Sequence, residues 1–549
     1  MKNTTAMADY ELRHIEALRK DLAGCTVLLK KDGSFPLEKP CTLAAYGSGV
    51  RRTIRGGTGS GEVNSRYSVT IEEGLQQAGF TLTGMEWHTG YEQAREKAHK
   101  AFLKQLKKDA KAAKQNFILY GMGKVMPEPE YDLPLNAEGD AAIYVVSRIS
   151  GEGNDRTPLK GDIRLTDSEV RDILALDKKF TRFMLVLNVG GVVDLSPVMS
   201  VRNILLLSQL GVETGGALAD ILLGKANPSG KLTTTWAAFE EYPEMPDFED
   251  MNETRYREGI YVGYRYFDTF RKQALFPFGY GLSYTEFRLG TAGVEANGAQ
   301  VTVRTTVENT GTMAGRQVVQ VSLSKPAGKL DVPRQELCAF AKTRTLAPGE
   351  AETVTCSFTL PEMAAYDAET ASYILEAGDH LVRVGVSSVE TASAAVLHLD
   401  KTVTTLQANN VLGSTDFTDL TAPASTMERP AGVPVIEIDP ASIVCETIDY
   451  ARTEEILPEV DALTKEDAAL LLIGDFDPNA KGFASMIGTA GRHVCGAAGA
   501  LSRAFPGWSW PTALPVCALR RSIMRTARAS TLSAMPRCRI PLWKCCPAR

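Results

Sequence analysis

From residue 10 to about 285, short apolar runs alternate with helix-forming stretches. The runs are CTVLLKK (25–31), CTLAAYG (41–47), NFILYG (116–121), AAIYVVS (141–147), FMLVLNVGG (183–191) and RNILLLSQ (202–209). Between them lie YEQAREKAHKAFLKQLKKDAKAAKQ (91–115), rich in strong helix formers, and LTDSEVRDILALDKKF (165–180). The latter opens on a capping box, Thr166 with Glu169 three residues on, followed by apolar residues at helical spacing. Buried β-runs alternating with helices predict a mainly parallel α/β sheet with helices on both faces.

Near residue 285 the period changes. VTVRTTVENTG (301–311), RQVVQVSLS (316–324), ETVTCSFTL (352–360) and HLVRVGVSS (380–388) alternate apolar and polar positions, with turns such as NTGTMAG and LAPGE between them. This pattern predicts a small antiparallel sandwich of roughly immunoglobulin type. Residues 401–440, rich in Thr, Ala, Asn and Pro, read as a linker, and YARTEEILPEVDALTKEDAALLLIG (450–474) as a helical opening to a third unit.

At 549 residues the chain is long enough for three or four domains, at about 100–200 residues each. Its 44% apolar and 23% charged residues are ordinary for a soluble globular protein. A net charge of −6 argues against a general nucleic-acid binder, which needs excess Lys and Arg to neutralise phosphates. The opening MKNTTAMADYELRHIEALRK lacks the apolar core of a signal peptide, and no run of about 18 apolar residues predicts a membrane span. Cys25, Cys41, Cys338, Cys356 and Cys445 are scattered without paired spacing, as in a cytoplasmic protein with reduced thiols.

Chemistry concentrates in Ser150-Gly151-Glu152-Gly153-Asn154-Asp155-Arg156, just after the run AAIYVVS. A carboxylate in a glycine-flanked loop past a strand's carboxyl end projects into the crevice where α/β sheets place ligands. Asp155 and Arg156 are expected to brace the loop by hydrogen bonding and charge pairing, and are secondary candidates for substrate contact. Taken alone, the heptapeptide also reads as a solvated loop acid. Gly57, Gly59 and Gly61 of GGTGSG faintly resemble a phosphate cradle, but G-x-G-x-G is not the dinucleotide fingerprint. A sharp turn or a sugar-site loop fits better. Tyr256, Tyr261, Tyr264, Tyr266 and Phe267 read either as sugar-stacking aromatics or as packing at a domain seam.

Other segments point to a source. VLLKKDGSFPL (27–37), GGTGSGEVN (56–64), LNVGGVVDLSP (187–197) and LADILLGKANPSGKLTTTW (218–236) resemble the α/β-sandwich domain of the family 3 glycoside hydrolases of β-glucosidase type. YREGIYVGYRYFD (256–268) with FPFGYGLSYTEF (276–287) resembles the end of that domain. V-x-N-T-G (307–311) and LAPGE (346–350) resemble the fibronectin type III-like domain that follows it. The resemblance is colinear over about residues 20–400. It implies a retaining hydrolysis of terminal β-linked sugars, in which one carboxylate attacks the anomeric carbon and another protonates the leaving oxygen. In the family the nucleophile is an Asp on a (β/α)8 barrel, in a Ser-Asp-Trp context, and the acid/base is a Glu on an α/β-sandwich loop. Glu152 is similar to that acid/base. The implied partner is a β-glucoside or oligosaccharide, with no metal or organic cofactor, no nucleic acid and no membrane; self-association is left open. β-Xylosidase, α-arabinofuranosidase and N-acetylglucosaminidase specificities share the scaffold, and a non-catalytic carbohydrate-binding module is the alternative from another class.

The domain order departs from most of the family, since here the α/β sandwich precedes the barrel, as in a permuted subgroup. LTKEDAALLLIGDF (463–476) and GTAGRHVCGAAG (488–499) resemble the opening of that barrel. A complete barrel takes about 250 residues, and no Asp-Trp pair occurs anywhere in the 549. The last fifty residues contain no Asp or Glu but eight Arg, six Pro and four Cys (Cys517, Cys538, Cys545, Cys546), without paired zinc spacing. Read one base upstream, a codon choice for AFPGWSWPTALP (504–515) gives Gly-Ile-Pro-Gly-Leu-Val-Met-Ala-Asp-Gly-Pro-Ala, which resembles an early barrel strand. The same shift of STLSAMP (530–536) permits Val-His-Ser-Leu-Gly-Asp-Ala. The expected organisation is an α/β sandwich over 10–285, a fibronectin type III-like sandwich over 286–400, and a linker over 401–440. A barrel fragment over 441–499 and an out-of-frame tail over 500–549 complete it. The chain is accordingly expected to be truncated before its nucleophile and inactive alone.

Overall fold

The computed structural model describes residues 7–448, apart from 62, 64, 122–123, 153–154, 245–252, 411–414 and 424–428, together with 463–465. Of the barrel fragment expected over 441–499 and the tail over 500–549, only 441–448 and 463–465 are among the described residues. No described helix is long and apolar enough to cross a membrane.

The first 285 residues form a six-stranded sheet. Its strands are β1 (Val27–Lys30), β2 (Thr42–Tyr46), β3 (Thr81–Thr83), β4 (Ala141–Arg148), β5 (Phe183–Val189) and β6 (Ile204–Leu206). They lie in the order β1-β6-β5-β4-β2-β3, parallel throughout except for the edge pair of β1 with β6. All eight residues of β4 and all seven of β5 are buried, because both faces are covered. Alternation then sorts them. Ala142, Tyr144 and Val146 of β4 join one core with Trp87, Tyr91, Ile173 and Leu176. Ala141, Ile143 and Val145 join another with Leu22, Ile71, Leu75 and Leu218.

The helices divide accordingly. α1 (Asp9–Leu22), α2 (Ile71–Gln77) and α6 (Thr214–Leu222) cover the second face. α3 (Met85–Ala112) and α5 (Asp167–Lys179) cover the first, and α4 (Phe117–Gly121) and α7 (Tyr264–Thr269) are short. The capping box at Thr166 forms as the sequence indicates, with Glu169 N donating to Thr166 Oγ1 at 3.1 Å and Thr166 N to Glu169 Oε2 at 2.8 Å. NFILYG is a correction: residues 117–121 are helical, not a strand. The two neighbouring positions on β2 are filled by β4 and by β3, a Thr-Leu-Thr strand with too little apolar content to read from sequence.

α2 and α6 cross on glycine. A methyl group at Gly215 would sit 1.9 Å from the Thr70 carbonyl oxygen, and one at Gly74 2.2 Å from Gly215 C. Gly215→Val is therefore expected to destabilise the protein by about 3 kcal/mol or more, read as a lower urea midpoint at unchanged m-value.

A β-sandwich follows. One sheet pairs β12 (Ala351–Thr359), β9 (Gln300–Asn309) and β7 (Phe287–Leu289), with β8 (Gly293–Asn297) also on β9. The other runs β11 (Glu336–Lys342), β10 (Val318–Ser324), β15 (Gly378–Gly385), β16 (Thr391–Leu399) and β18 (Val435–Ile438). Val301, Val303, Val307, Val321, Leu323, Phe358 and Val382 fill the space between. A small sheet of β13 (Ala365–Asp367), β14 (Ser372–Leu375), β17 (Val403–Gln407) and β19 (Glu446–Thr447) flanks it. The stretch read as a linker thus contributes two strands, β17 on β14 and β18 on β16. Residues just beyond it join in, with β19 on β17 and Ile443 in the sandwich core.

Candidate active site

The connections place the site. From β2 the chain passes through α2 to β3 at one edge, whereas from β4 it passes through α5 to β5 in the opposite direction. β2 and β4 are neighbours, so the crevice beyond their carboxyl ends is the topological switch point, where open α/β sheets bind ligands. Two glycine-rich loops emerge there: residues 47–61 after β2 and 149–157 after β4.

These loops interlock. Thr58 Oγ1 donates to the Glu152 carbonyl at 2.8 Å, and Glu152 N donates to Thr58 O at 3.3 Å. A methyl group at Gly151 would lie 2.3 Å from Thr58 N, and one at Gly57 2.6 Å from Ser150 O. Gly59, at φ +71°, would press a methyl group to 2.5 Å from the Glu152 side chain. GGTGSG is therefore a close-approach surface for the Glu152 loop, which accounts for Gly57 and Gly59 without a phosphate. Gln209 Nε2 bridges the two loops, donating to Gly56 O at 3.1 Å and to Ser150 O at 3.3 Å. Asn188, from the LNVGG segment, donates to Ile54 O at 2.9 Å and accepts from Ile54 N at 2.6 Å. Residue 152 is exposed at the top of this assembly.

The far end of the loop is fixed differently from expectation. Arg156 does not pair with Asp155. Its Nε donates to Asp162 Oδ1 at 2.6 Å and its Nη1 to Val192 O at 2.9 Å. Asp162 Oδ2 also accepts from Thr157 N at 2.6 Å. Asp155 is exposed and makes no hydrogen bond or ion pair among the described residues, because Asp162, six residues past Arg156, occupies the guanidinium. The near end is held by Arg148, the last residue of β4 and buried. It donates to Asp162 O at 3.0 Å, Ser147 O at 2.9 Å and Glu169 Oε2 at 2.6 Å, and its Nη1 lies 4.0 Å from Glu128 Oε2. Arg148 and Asp162 thus tie both ends of the Glu152 loop to the body of the domain. Burial pushes the Glu128 carboxyl well up from its ordinary range, reinforced by the charge of Glu169 and opposed by Arg148. Tyr91 donates its hydroxyl to Glu128, and its own titration is likewise pushed up by burial.

The sequence singles out Glu152 but not Arg148, Asp162, Gln209 and Glu128, which surround its loop. The available signal was a charged residue closing an otherwise apolar strand, AAIYVVSR. The aromatic group resolves mostly to packing. Tyr261, Tyr266 and Phe267 are buried together, Tyr264 stacks on Phe278 at 4.5 Å, and only Tyr256 of the five is exposed. Tyr261 donates to Asp331 and Tyr264 accepts from Leu337 N at 2.8 Å, which ties this segment to the β-sandwich.

Residues 26–284 match the glycosyl hydrolase family 3 C-terminal domain, and residues 317–388 the fibronectin type III-like domain. The chain thus carries the C-terminal domain of the family 3 glycoside hydrolases together with a fibronectin type III-like domain. It is 34% identical over 457 residues to β-glucosidase A of Butyrivibrio fibrisolvens, covering 74% of this chain and 53% of that one. The structure of β-glucosidase 3B from Thermotoga neapolitana in complex with α-D-glucose superposes with a TM-score of 0.61 at 34% identity, over 72% of this chain and 55% of that one. A β-glucosidase from Paenibacillus barengoltzii gives 0.63 at 31%, over 76% and 47%. The chain spans about half the length of the curated relatives it matches.

Proposed function

We propose that these residues form the acid/base half of a retaining β-glucosidase acting on terminal β-linked glucose or a similar sugar, with Glu152 as the general acid and base. The observation that carries this is the placement of residue 152: exposed on a glycine loop at the switch point and fixed to Thr58 of a second loop through hydrogen bonds to both its backbone N–H and its carbonyl. A proton donor has to hold its carboxyl within hydrogen-bond reach of the leaving oxygen through the reaction, and the interlocked glycines restrict this loop's freedom to drift. In a retaining enzyme the second carboxylate stands about 5–5.5 Å away, attacks the anomeric carbon and forms a glycosyl-enzyme. The first carboxyl protonates the departing oxygen and then, as carboxylate, takes a proton from the attacking water.

That second carboxylate is proposed to come from a barrel in the Ser-Asp-Trp context, a sequence absent from these 549 residues. Arg156 serves the loop through Asp162, and Asp155 is exposed. On this reading the purified chain shows no turnover of aryl β-glucosides, since an acid without a nucleophile leaves the covalent step undone. Turnover above buffer that disappears on Glu152→Ala would place a nucleophile within the chain and refute the division of the site.

A further inference from the structure

A cavity of about 610 Å³ opens between the α/β domain and the β-sandwich. Lys31, just past β1, and Ser229 and Lys231 of the PSGKL segment line it from the α/β domain. Arg316, ahead of β10, and Glu390, in the turn between β15 and β16, line it from the sandwich, and Glu286 of the connecting stretch stands between them in sequence. We infer that this cavity binds a small oxyanion of two or more charges, a phosphate or a polycarboxylate, held by Lys231 and Arg316. None of its residues belongs to the Glu152 loop or to the glycine-rich loop opposite.

The local sequence delivers Lys231 to this place. Gly230 N donates to Thr26 O at 2.9 Å and Leu232 N to Tyr280 O at 2.8 Å, so PSGKL is fixed to the entry of β1 and to the PFGYGLSYT stretch. A methyl group at Gly281 would lie 2.4 Å from Gly230 O. That close approach sets the Lys231 ammonium against Gly281 O, to which it donates at 2.6 Å. One carbonyl satisfies one of the three N–H donors of an ammonium, which leaves two for a ligand.

The electrostatics call for a counter-charge. Lys231, Arg316 and Lys342 form no ion pair among the described residues, and the partners of their nitrogens are main-chain carbonyls. These are Gly281 O for Lys231, Thr343 O at 3.1 Å for Arg316 and Gly24 O at 3.1 Å for Lys342. Burial pushes the Lys231 ammonium down to about 8, opposed by Glu390 and reinforced by Lys342. Lys342, at the end of β11, is likewise pushed down to about 8 by burial and then by Arg316. Three cations thus act on one another at this seam. Of the two acids at the cavity, Glu286 is taken by Lys31 at 2.5 Å, and Glu390 forms no ion pair with any of the three among the described residues. A buried ammonium without a counter-charge is costly, and neighbouring like charges add to the cost. An anion of two or more charges offsets both, and charge-assisted hydrogen bonds from Lys and Arg are the usual means of holding one. The volume falls within the roughly 300–1,000 Å³ of small-ligand sites, enough for a polycarboxylate as well as for phosphate.

The test is a calorimetric titration of the 549-residue chain with inorganic phosphate, citrate and acetate at low ionic strength, where screening is least. Saturable binding of phosphate or citrate is expected, with a dissociation constant of about 1 mM or lower. Acetate, with a single charge, should bind at least about tenfold more weakly. Lys231→Met and Arg316→Ala should each weaken the bound anion about tenfold by removing a charged hydrogen-bond donor. Lys104→Ala, on the exposed face of α3, should leave the affinity unchanged. Arg316 is exposed, so its variant decides the matter if Lys231→Met fails to fold. Absence of saturable phosphate and citrate binding would overturn the assignment, as would an affinity indifferent to Arg316→Ala and to Lys231→Met in folded protein. Acetate binding as tightly as citrate, or a loss of affinity in Lys104→Ala equal to that in Arg316→Ala, would overturn it equally.

Discussion

Joined to a nucleophile-bearing barrel, Glu152→Ala is expected to lose about 10²–10⁴-fold in hydrolysis of substrates with poor leaving groups, and much less in the first step with activated aryl glucosides. An alkoxide or sugar hydroxyl departs slowly without a proton, whereas a dinitrophenolate needs none. Glycosylation of the activated substrate therefore survives the substitution. Deglycosylation still lacks its base, so a burst of phenolate followed by slow turnover is expected. Rates with two leaving groups, resolved into burst and steady state, give the answer. An equal loss on both, with a lowered melting temperature, would mean that Glu152 only supports its loop.

Arg148→Leu is expected to cost about 3–5 kcal/mol of stability, among the largest effects of any single change in the described structure. Its guanidinium is the cation beside two buried carboxyls, Glu169 at 2.6 Å and Glu128 at 4.0 Å, and Glu169 is only 1% exposed. Leucine replaces the bulk but leaves both carboxyls in low dielectric, where they have to lose their charge. Urea unfolding at pH 7 should show the full loss, and the gap to wild type should narrow as acid protonates the stranded groups. A loss under 1 kcal/mol would show that the cluster is more hydrated than its burial indicates. The substitution also frees Asp162 O, so the loop carrying Glu152 should gain amide exchange.

How much of this was legible follows the range of the interactions involved. The Thr166–Glu169 box spans three residues and reads directly from sequence, as do β4 and β5, whose continuous apolar runs reflect burial on both faces. NFILYG misleads because a short apolar run has no period to separate strand from helix. β17 and β18 hide in a polar, Pro-containing stretch because their partners, β14 and β16, supply the pairing edge from a distance. Glu152 stands out through its flanking glycines, but the glycines opposite, at 57 and 59, acquire meaning only when the two loops meet. Arg148, Asp162, Glu128 and Glu169 form a cluster whose members are separated along the chain, and Glu169 already had a sufficient local role as a capping residue. Arg156 has an adjacent acid in Asp155, but the fold supplies a better-placed partner in Asp162.

The most direct measurement of the central claim is azide rescue of Glu152→Ala in the barrel-joined protein with an activated aryl β-glucoside. Azide attacks without a general base, so it should restore steady-state turnover and yield a β-glycosyl azide, with retained configuration. Turnover deaf to azide, or an azide product of inverted configuration, would contradict the assignment of Glu152 as the acid and base of a retaining site.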